Sequence, residues 1–160
     1  MGAGHVLLRE ITGHTPYCLN YAFAESQFLN NKSILNILDY EDNRPRLKAL
    51  TGVLNSRLMS FYYKQQAVKS GRNIFPKVVI KDLGCFPVPE RLVKCDHPRI
   101  VEKVGQLIEA KKMSGEAKTD RDKTYYESKC AALDRQIDRL VYDLYGLTED
   151  EIQIVEKGNE

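Results

Sequence analysis

Two stretches near the start of the chain are rich in apolar and β-branched residues and flank a turn. They are residues 5–12 (HVLLREIT) and 17–29 (YCLNYAFAESQFL), with Gly13 and Pro16 between them. Such flanks around a turn that contains glycine and proline predict two strands. A sheet of two strands is marginal alone, so we expect either that later segments join it or that the domain begins upstream of this chain.

The clearest helical pattern of the first half covers residues 41–71. Its apolar residues recur at intervals of three and four, which places them on one stripe of a helix. They are Leu47, Leu50, Leu54, Leu58 and Phe61. Pro45 suits the first helical position, and Gly71 is a suitable stop. The pattern predicts one long packing helix.

The segment after this helix ends the first part of the chain. Residues 73–80 (NIFPKVVI) predict a third strand, and residues 81–85 predict a turn. Residues 86–90 (FPVPE) are expected to be extended, because each proline pushes the residue before it out of helical geometry. Alternating prolines suit an exit segment better than a central strand.

The second half predicts helices. Residues 98–113 carry one apolar face, and the following helix carries three heptads of apolar seam with the spacing 4-3-4-3-4. The seam consists of Tyr126, Cys130, Leu133, Ile137, Leu140 and Leu144. Thr148 and Glu151 have the spacing of a capping box ahead of a short final helix. Such heptads are usually core or coiled-coil packing, so we predict an antiparallel pair.

Together these elements predict an α+β fold. It has a small mixed β-sheet with one long packing helix, followed by an antiparallel helical pair and a short C-terminal helix. We expect residues 1–92 to form the α/β part and residues 93–160 the helical spacer or packing part of the same domain. The 160 residues suffice for one domain with a core and not comfortably for two.

Composition is that of an ordinary globular protein, with 42% hydrophobic and 29% charged residues. No apolar run reaches the roughly 18 residues that span a bilayer, and the first ten residues lack the features of a signal peptide. We therefore expect a cytoplasmic protein without a membrane partner. The four cysteines form no CxxC pair and are expected to be buried free thiols.

Charge is distributed unevenly, although the formal net charge is only +2. Residues 44–81 contain no Asp or Glu and nine basic residues: Arg44, Arg46, Lys48, Arg57, Lys64, Lys69, Arg72, Lys77 and Lys81. We call residues 44–81 the acid-free block. Ordinary surfaces mix both signs, so the block favours an anionic partner such as a phosphate backbone. A solvated basic face is the alternative.

No catalytic constellation can be assembled from the chain. It has no Walker loop, GxSxG or HExxH motif, and no nucleophile can be paired with a base. Cys85, Cys95 and His97 lack a fourth ligand at a spacing that would suit zinc. We therefore expect no catalytic residue, no metal site and no cofactor in this chain.

Three segments together resemble one known family. LTGVLNSRLMSFYYKQQ, residues 50–66, resembles a helix with Leu-Asn-Ser and Phe-Tyr-Tyr steps in TaqI-like C-terminal specificity domains. FPKVVIKDLGCFPVPE, residues 75–90, resembles the segment that follows that helix. IDRLVYDLYGLTEDEIQIVE, residues 137–156, is similar to the ending of many such proteins. Their order and spacing match, and the resemblance extends from about residue 6 to the C-terminus.

The resemblance implies a target recognition domain of a restriction-modification enzyme. Its partners would be double-stranded DNA and its own upstream methyltransferase domain or subunit. Adenine methylation, with or without cleavage, and the S-adenosylmethionine cofactor would belong to that upstream domain, whose Asn-Pro-Pro-Tyr-type motif this chain lacks. The first strands of the usual domain are also missing, which implies an N-terminally truncated piece.

Within this reading, the acid-free block supplies candidate DNA contacts of two kinds. Arg46, Arg57, Lys64 and Lys69 are predicted to contact phosphates, because the first three lie along one edge of the helical stripe. Arg72 and Asn73, in a loop that starts with glycine, are predicted to read bases, and Lys77 follows them. Arg9 is a weaker candidate. The alternative function is a helical protein-protein interaction or dimerisation module without intrinsic DNA binding, in which the heptad seam docks a partner.

Overall fold

The structure is a computed structural model and describes residues 3–25, 31–69, 77–94 and 97–159. Three strands form one sheet in the order β2-β1-β3: β1 (His5–Arg9), β2 (Tyr21–Ala24) and β3 (Ile34–Leu38). Both strand pairs are antiparallel, whereas the sequence predicts a mixed sheet. The α+β class is confirmed.

Alternation along β1 gives the sheet two different faces. Val6 and Leu8 are fully buried and point into the core, so Leu7 and Arg9 lie on the opposite, outer face. Leu8 stands opposite Tyr21 of β2 and Leu35 of β3, which extends the inner face across all three strands.

The third strand is therefore not the one that the sequence predicts. In the part of residues 73–80 that is described, Lys77 forms a single bridge with Ile11, and a short helix, α3 (Ile80–Leu83), follows at once. Asp82 caps this turn by accepting a hydrogen bond from the backbone N–H of Val79 at 3.1 Å. From Lys77 onward, one bridge and one helical turn occupy the rest of the predicted strand and turn, and residues 73–76 lie outside the described residues. A further short helix, α4 (Glu90–Lys94), follows the prolines.

The predicted long helix is two helices, α1 (Arg44–Leu54) and α2 (Arg57–Lys69). The break occurs at Asn55, where the first helix stops and the side chain forms hydrogen bonds to the edge strand β2. Its Oδ1 accepts from the Tyr21 N–H and its Nδ2 donates to the Tyr21 carbonyl, both at 2.8 Å. Ser56 then bonds to Val53 and caps the start of α2. The apolar period of three and four continues across the break, which is why periodicity alone does not detect it.

The second half forms the predicted helices, α5 (Pro98–Glu116), α6 (Asp120–Tyr145) and α7 (Glu149–Lys157). The capping box of α7 is present: the Glu151 N–H donates to the Thr148 hydroxyl, and the Thr148 N–H donates to the Glu151 carboxylate. Leu133 and Ile137 of the seam are buried in the core of this chain.

One core joins the two parts of the chain. It contains Val6 and Leu8 of β1, Val53 of α1 and Ile137 of α6. Helices α1 and α5 approach each other closely at Gly52, where an added Cβ would lie 2.7 Å from the Val104 side chain of α5. Glycine is therefore required there by the spacing of the two helices, and α5 is held tightly against α1.

Candidate nucleic-acid interface

The acid-free block is not a free positive surface in three dimensions. Five of its described cations form ion pairs with acids that come from elsewhere in the sequence: Arg44 with Asp42, Arg46 with Asp39 and Glu41, Lys48 with Glu25, Arg57 with Asp138 and Glu156, and Lys77 with Glu10. Much of the charge that the sequence concentrates in this block is neutralised by the fold.

Arg57 lies at a buried polar cluster where α2 meets α6. The Asp138 carboxylate accepts a hydrogen bond from the Tyr17 hydroxyl at 2.6 Å and one from the Arg57 backbone N–H at 2.9 Å. The guanidinium of Arg57 lies 5.4 Å from the centre of the Tyr17 ring and 3.8 Å from a carboxylate oxygen of Glu156. These contacts tie the loop before β2, the start of α2 and the helical part together.

Burial governs the chemistry of this cluster. Asp138 is 3% exposed, and its burial raises the pKa of the carboxyl to about 6, although the Tyr17 hydroxyl and Arg57 act in the opposite direction. Burial and the bond to Asp138 raise the pKa of the Tyr17 hydroxyl. Nothing in the sequence links Tyr17 to Asp138, 121 residues away, so the predicted site omits both.

Arg46, Arg57 and Lys64 do not share a free edge of one helix, so that prediction is wrong. Arg46 lies on α1, and the other two lie on α2 beyond the break. Arg46 is held by two carboxylates, and the ammonium of Lys64 donates to the Gly158 carbonyl at 2.7 Å. Whether these residues also contact DNA stays a prediction.

Lys77 is the most accessible of the predicted contacts that are described. Its side chain is 57% exposed, and its ammonium lies 2.7 Å from a carboxylate oxygen of Glu10. The side chain of Lys69 and all of Arg72 and Asn73 lie outside the described residues. Their predicted DNA contacts therefore stay predictions.

An open groove crosses the outer face of the sheet. It has a volume of about 640 Å³, and we call it the sheet groove. Its lining includes apolar Leu7 and Ile34 from the strands and, at its rim, exposed Ile11. Besides the hydroxyl-bearing Tyr17 and Tyr21, the polar side chains along it are Arg9, Asn20, Asn31, Ser33, Asn55, Lys111 and Asp134. Arg9 lies on β1, and the exposed amides of Asn20 and Asn31 precede β2 and β3. Guanidinium and amide groups are the ones that pair with base edges.

Arg9 is the cation on the strand wall of this groove. It is the last residue of β1, its side chain is exposed, and it forms no ion pair with any residue in the described ranges. Its backbone N–H donates to the Asn20 carbonyl at 3.1 Å, which sets the exposed Asn20 beside it. Within the part of the chain that the structure describes, the groove therefore presents a guanidinium without an ion pair next to an amide.

The structure offers little support for other kinds of site. Among the described residues no group of three His, Cys, Asp or Glu side chains could hold a metal ion, and no helix is long and apolar enough to cross a membrane. Cys18 is buried as predicted, but Cys85 is exposed, because it follows the turn that ends α3, and Cys130 is only partly buried. Cys95 lies outside the described residues.

A second groove, of about 470 Å³, lies between α5 and α6 and carries Arg99, Lys103, Arg135 and Arg139 together with Asp143. Arg139 also pairs with Glu149 at 3.4 Å.

Comparison with known proteins identifies one family. The family described as the TaqI-like C-terminal specificity domain matches residues 2–88, more than half of the chain. The match includes all three strands of the sheet together with α1, α2 and α3. No curated protein and no solved structure matches the chain.

Proposed function

Because the chain belongs to the family of TaqI-like C-terminal specificity domains, we propose that it is the DNA target recognition domain of a restriction-modification enzyme. It directs adenine-specific methylation, cleavage or both, which a domain or subunit outside this chain performs in the cytoplasm. That catalytic part binds S-adenosylmethionine. This chain contributes the reading of the DNA sequence.

The observation that carries the proposal is the sheet groove. Its strand side lies in the part of the chain that the family match covers, it is open, and it presents Arg9 and Asn20 side by side. Arginine pairs with guanine and asparagine with adenine through two hydrogen bonds each. Arg9 ends strand β1, and its backbone hydrogen bond to the Asn20 carbonyl fixes Asn20 just before β2. Direct readout needs this combination of fixed donors and an accessible face.

The other contacts follow from exposure and charge. Lys77 lies next to Ile11 at the rim of the groove, so we assign it to a phosphate, which its ammonium reaches by leaving Glu10. Arg72 and Asn73 remain proposed base contacts, and Lys69 a proposed phosphate contact. Arg46, Arg57 and Lys64 rank below them, because internal partners already hold their charged groups.

Selection from a pool of random duplex DNA tests the function directly. The full 160-residue chain is expected to enrich one short sequence, because fixed base contacts discriminate each wrong base pair by about 1–3 kcal/mol. Arg9→Gln is expected to relax the preference at one base pair. Lys77→Gln is expected to weaken binding of all sequences alike, as loss of a phosphate contact does. A final pool with the composition of the starting pool would contradict the proposal.

A further inference from the structure

Helices, and not the strands, form one wall of the sheet groove. Lys111 of α5 and Asp134 of α6 line it together with Arg9 and Leu7 of β1. Both α5 and α6 lie outside residues 2–88, the region that matches the family. The helical part therefore closes one side of the groove that we assign to DNA.

Lys111 is suited to an anion in this groove. Its side chain is exposed, and it forms no ion pair with an acid among the residues that the structure describes. Burial raises the pKa of the Asp134 carboxyl, and the positive charge of Lys111 acts in the opposite direction. The two charged groups are therefore close enough to interact electrostatically. The groove thus carries two cations, Arg9 and Lys111, and one half-buried acid.

We propose that Lys111 binds a DNA phosphate from the helical wall of the sheet groove, while Arg9 reads bases from the strand wall. This inference rests on the proposed function. A compact ammonium on a flexible stem suits a phosphate better than a base edge, because it offers a point charge without a fixed fork of donors. The DNA-binding surface then extends beyond the family match, and the helical part acts as more than a spacer.

Asp134 allows a stricter test of the proposal, because its negative charge repels a phosphate in the same groove. Neutralising Lys111 must weaken DNA binding and neutralising Asp134 must strengthen it, if a polyanion occupies the space between them. A structural role for these residues gives no reason for opposite signs. An uncharged or cationic occupant of the groove would not produce this pair of effects.

The experiment measures binding of the full chain to a mixed-sequence DNA duplex over a series of salt concentrations. Lys111→Gln is expected to weaken binding about tenfold at about 0.1 M salt and to reduce the slope of log K against log salt by about 0.9, because one phosphate contact is lost. Lys112→Gln is the matched control, because Lys112 is exposed, carries the same charge and does not line the groove. It should bind within about twofold of the unaltered chain.

Two further variants exclude an indirect effect. Lys111→Arg keeps the charge and should restore the slope, and Asp134→Asn should tighten binding severalfold. Equal weakening by Lys111→Gln and Lys112→Gln, or weaker binding by Asp134→Asn, would overturn the assignment of Lys111. In that case sequence enrichment by the unaltered chain would leave the proposed function intact. Failure of the unaltered chain to bind any duplex at low salt would overturn both.

Discussion

The acid-free block and the sheet groove distribute positive charge in opposite ways. The block holds nine basic residues within 38 positions of sequence, but in the fold five of its described cations pair with acids. The sheet groove brings together two cations that are 102 positions apart, Arg9 and Lys111, and neither forms an ion pair among the described residues. Available charge therefore depends on which chain segments meet in space.

Because most described cations of the block form ion pairs and those of the sheet groove form none among the described residues, we expect the two groups to have different roles. A cation whose field is cancelled by a neighbouring carboxylate mainly stabilises the fold, whereas an exposed and unpaired cation remains available to a phosphate or a base. Arg57 is the clearest case of the first kind, because Asp138 and Glu156 both lie within 4 Å of its guanidinium. Arg9 and Lys111 are the cases of the second kind.

The largest expected effect is the loss of stability on Arg57→Ala. The substitution leaves the buried carboxylate of Asp138 without its cation and removes the contact with the Tyr17 ring, so unfolding should become easier by about 2–4 kcal/mol. Urea denaturation measures it. Lys81→Ala is the control from the same block, because Lys81 is exposed, and it should change stability by less than about 0.5 kcal/mol. Equal stability of the two variants would contradict a structural role for the ion pairs of Arg57.

The next effect concerns Asp138 and pH. Its folded-state pKa of about 6 is above the ordinary value, so its contribution to stability is fully present below the unfolded-state pKa and is lost as pH rises through about 6. The stability of the unaltered chain minus that of Asp138→Asn should fall by about 2–3 kcal/mol between about pH 4 and pH 7. Denaturation of both chains across this range measures it. A difference that grows with pH would mean that Arg57 keeps Asp138 ionised in the folded state.

A smaller loss is expected from Gly52→Ala, which tests how firmly the helical wall of the groove is held. The new methyl group would overlap the Val104 side chain, and the resulting shift of α5 should destabilise the chain by about 1–3 kcal/mol. Gly105→Ala on α5 is the control, because no atom lies within 4 Å of its added Cβ, and it should be neutral or stabilising. A neutral Gly52→Ala would show that α1 and α5 tolerate a wider spacing.

The sequence predicts the parts of the fold in which local patterns and packing agree. The apolar seam of α6, the capping box at Thr148 and the two strands around Gly13 are all local signals, and each corresponds to an observed element. The strand β3 is not predicted, although its short run ILNIL is rich in apolar and β-branched residues and follows a polar turn. The break at Asn55 depends on a hydrogen bond to β2, which no local pattern reveals.

The candidate site could be predicted only in part. Charge counted along the chain predicts an anionic partner, in line with the DNA that we propose, but it does not show that Asp138 pairs with Arg57 from 81 positions away. In the sequence Arg9 is only a weaker candidate, because a single arginine on a predicted strand belongs to no motif or charge cluster. The base contact that we propose for Arg9 depends on the outer face of the sheet, and this face forms only when β1 pairs with a strand on each side.

The most direct test of the account compares Arg9→Gln with Arg46→Gln on the enriched DNA sequence and on a scrambled duplex. Arg9→Gln should lose about 1–3 kcal/mol of binding free energy on the enriched sequence and little on the scrambled one, because it removes a base contact. Arg46→Gln should bind both duplexes like the unaltered chain, since Asp39 and Glu41 hold its guanidinium. Loss of specific binding in Arg46→Gln together with normal binding in Arg9→Gln would contradict the account.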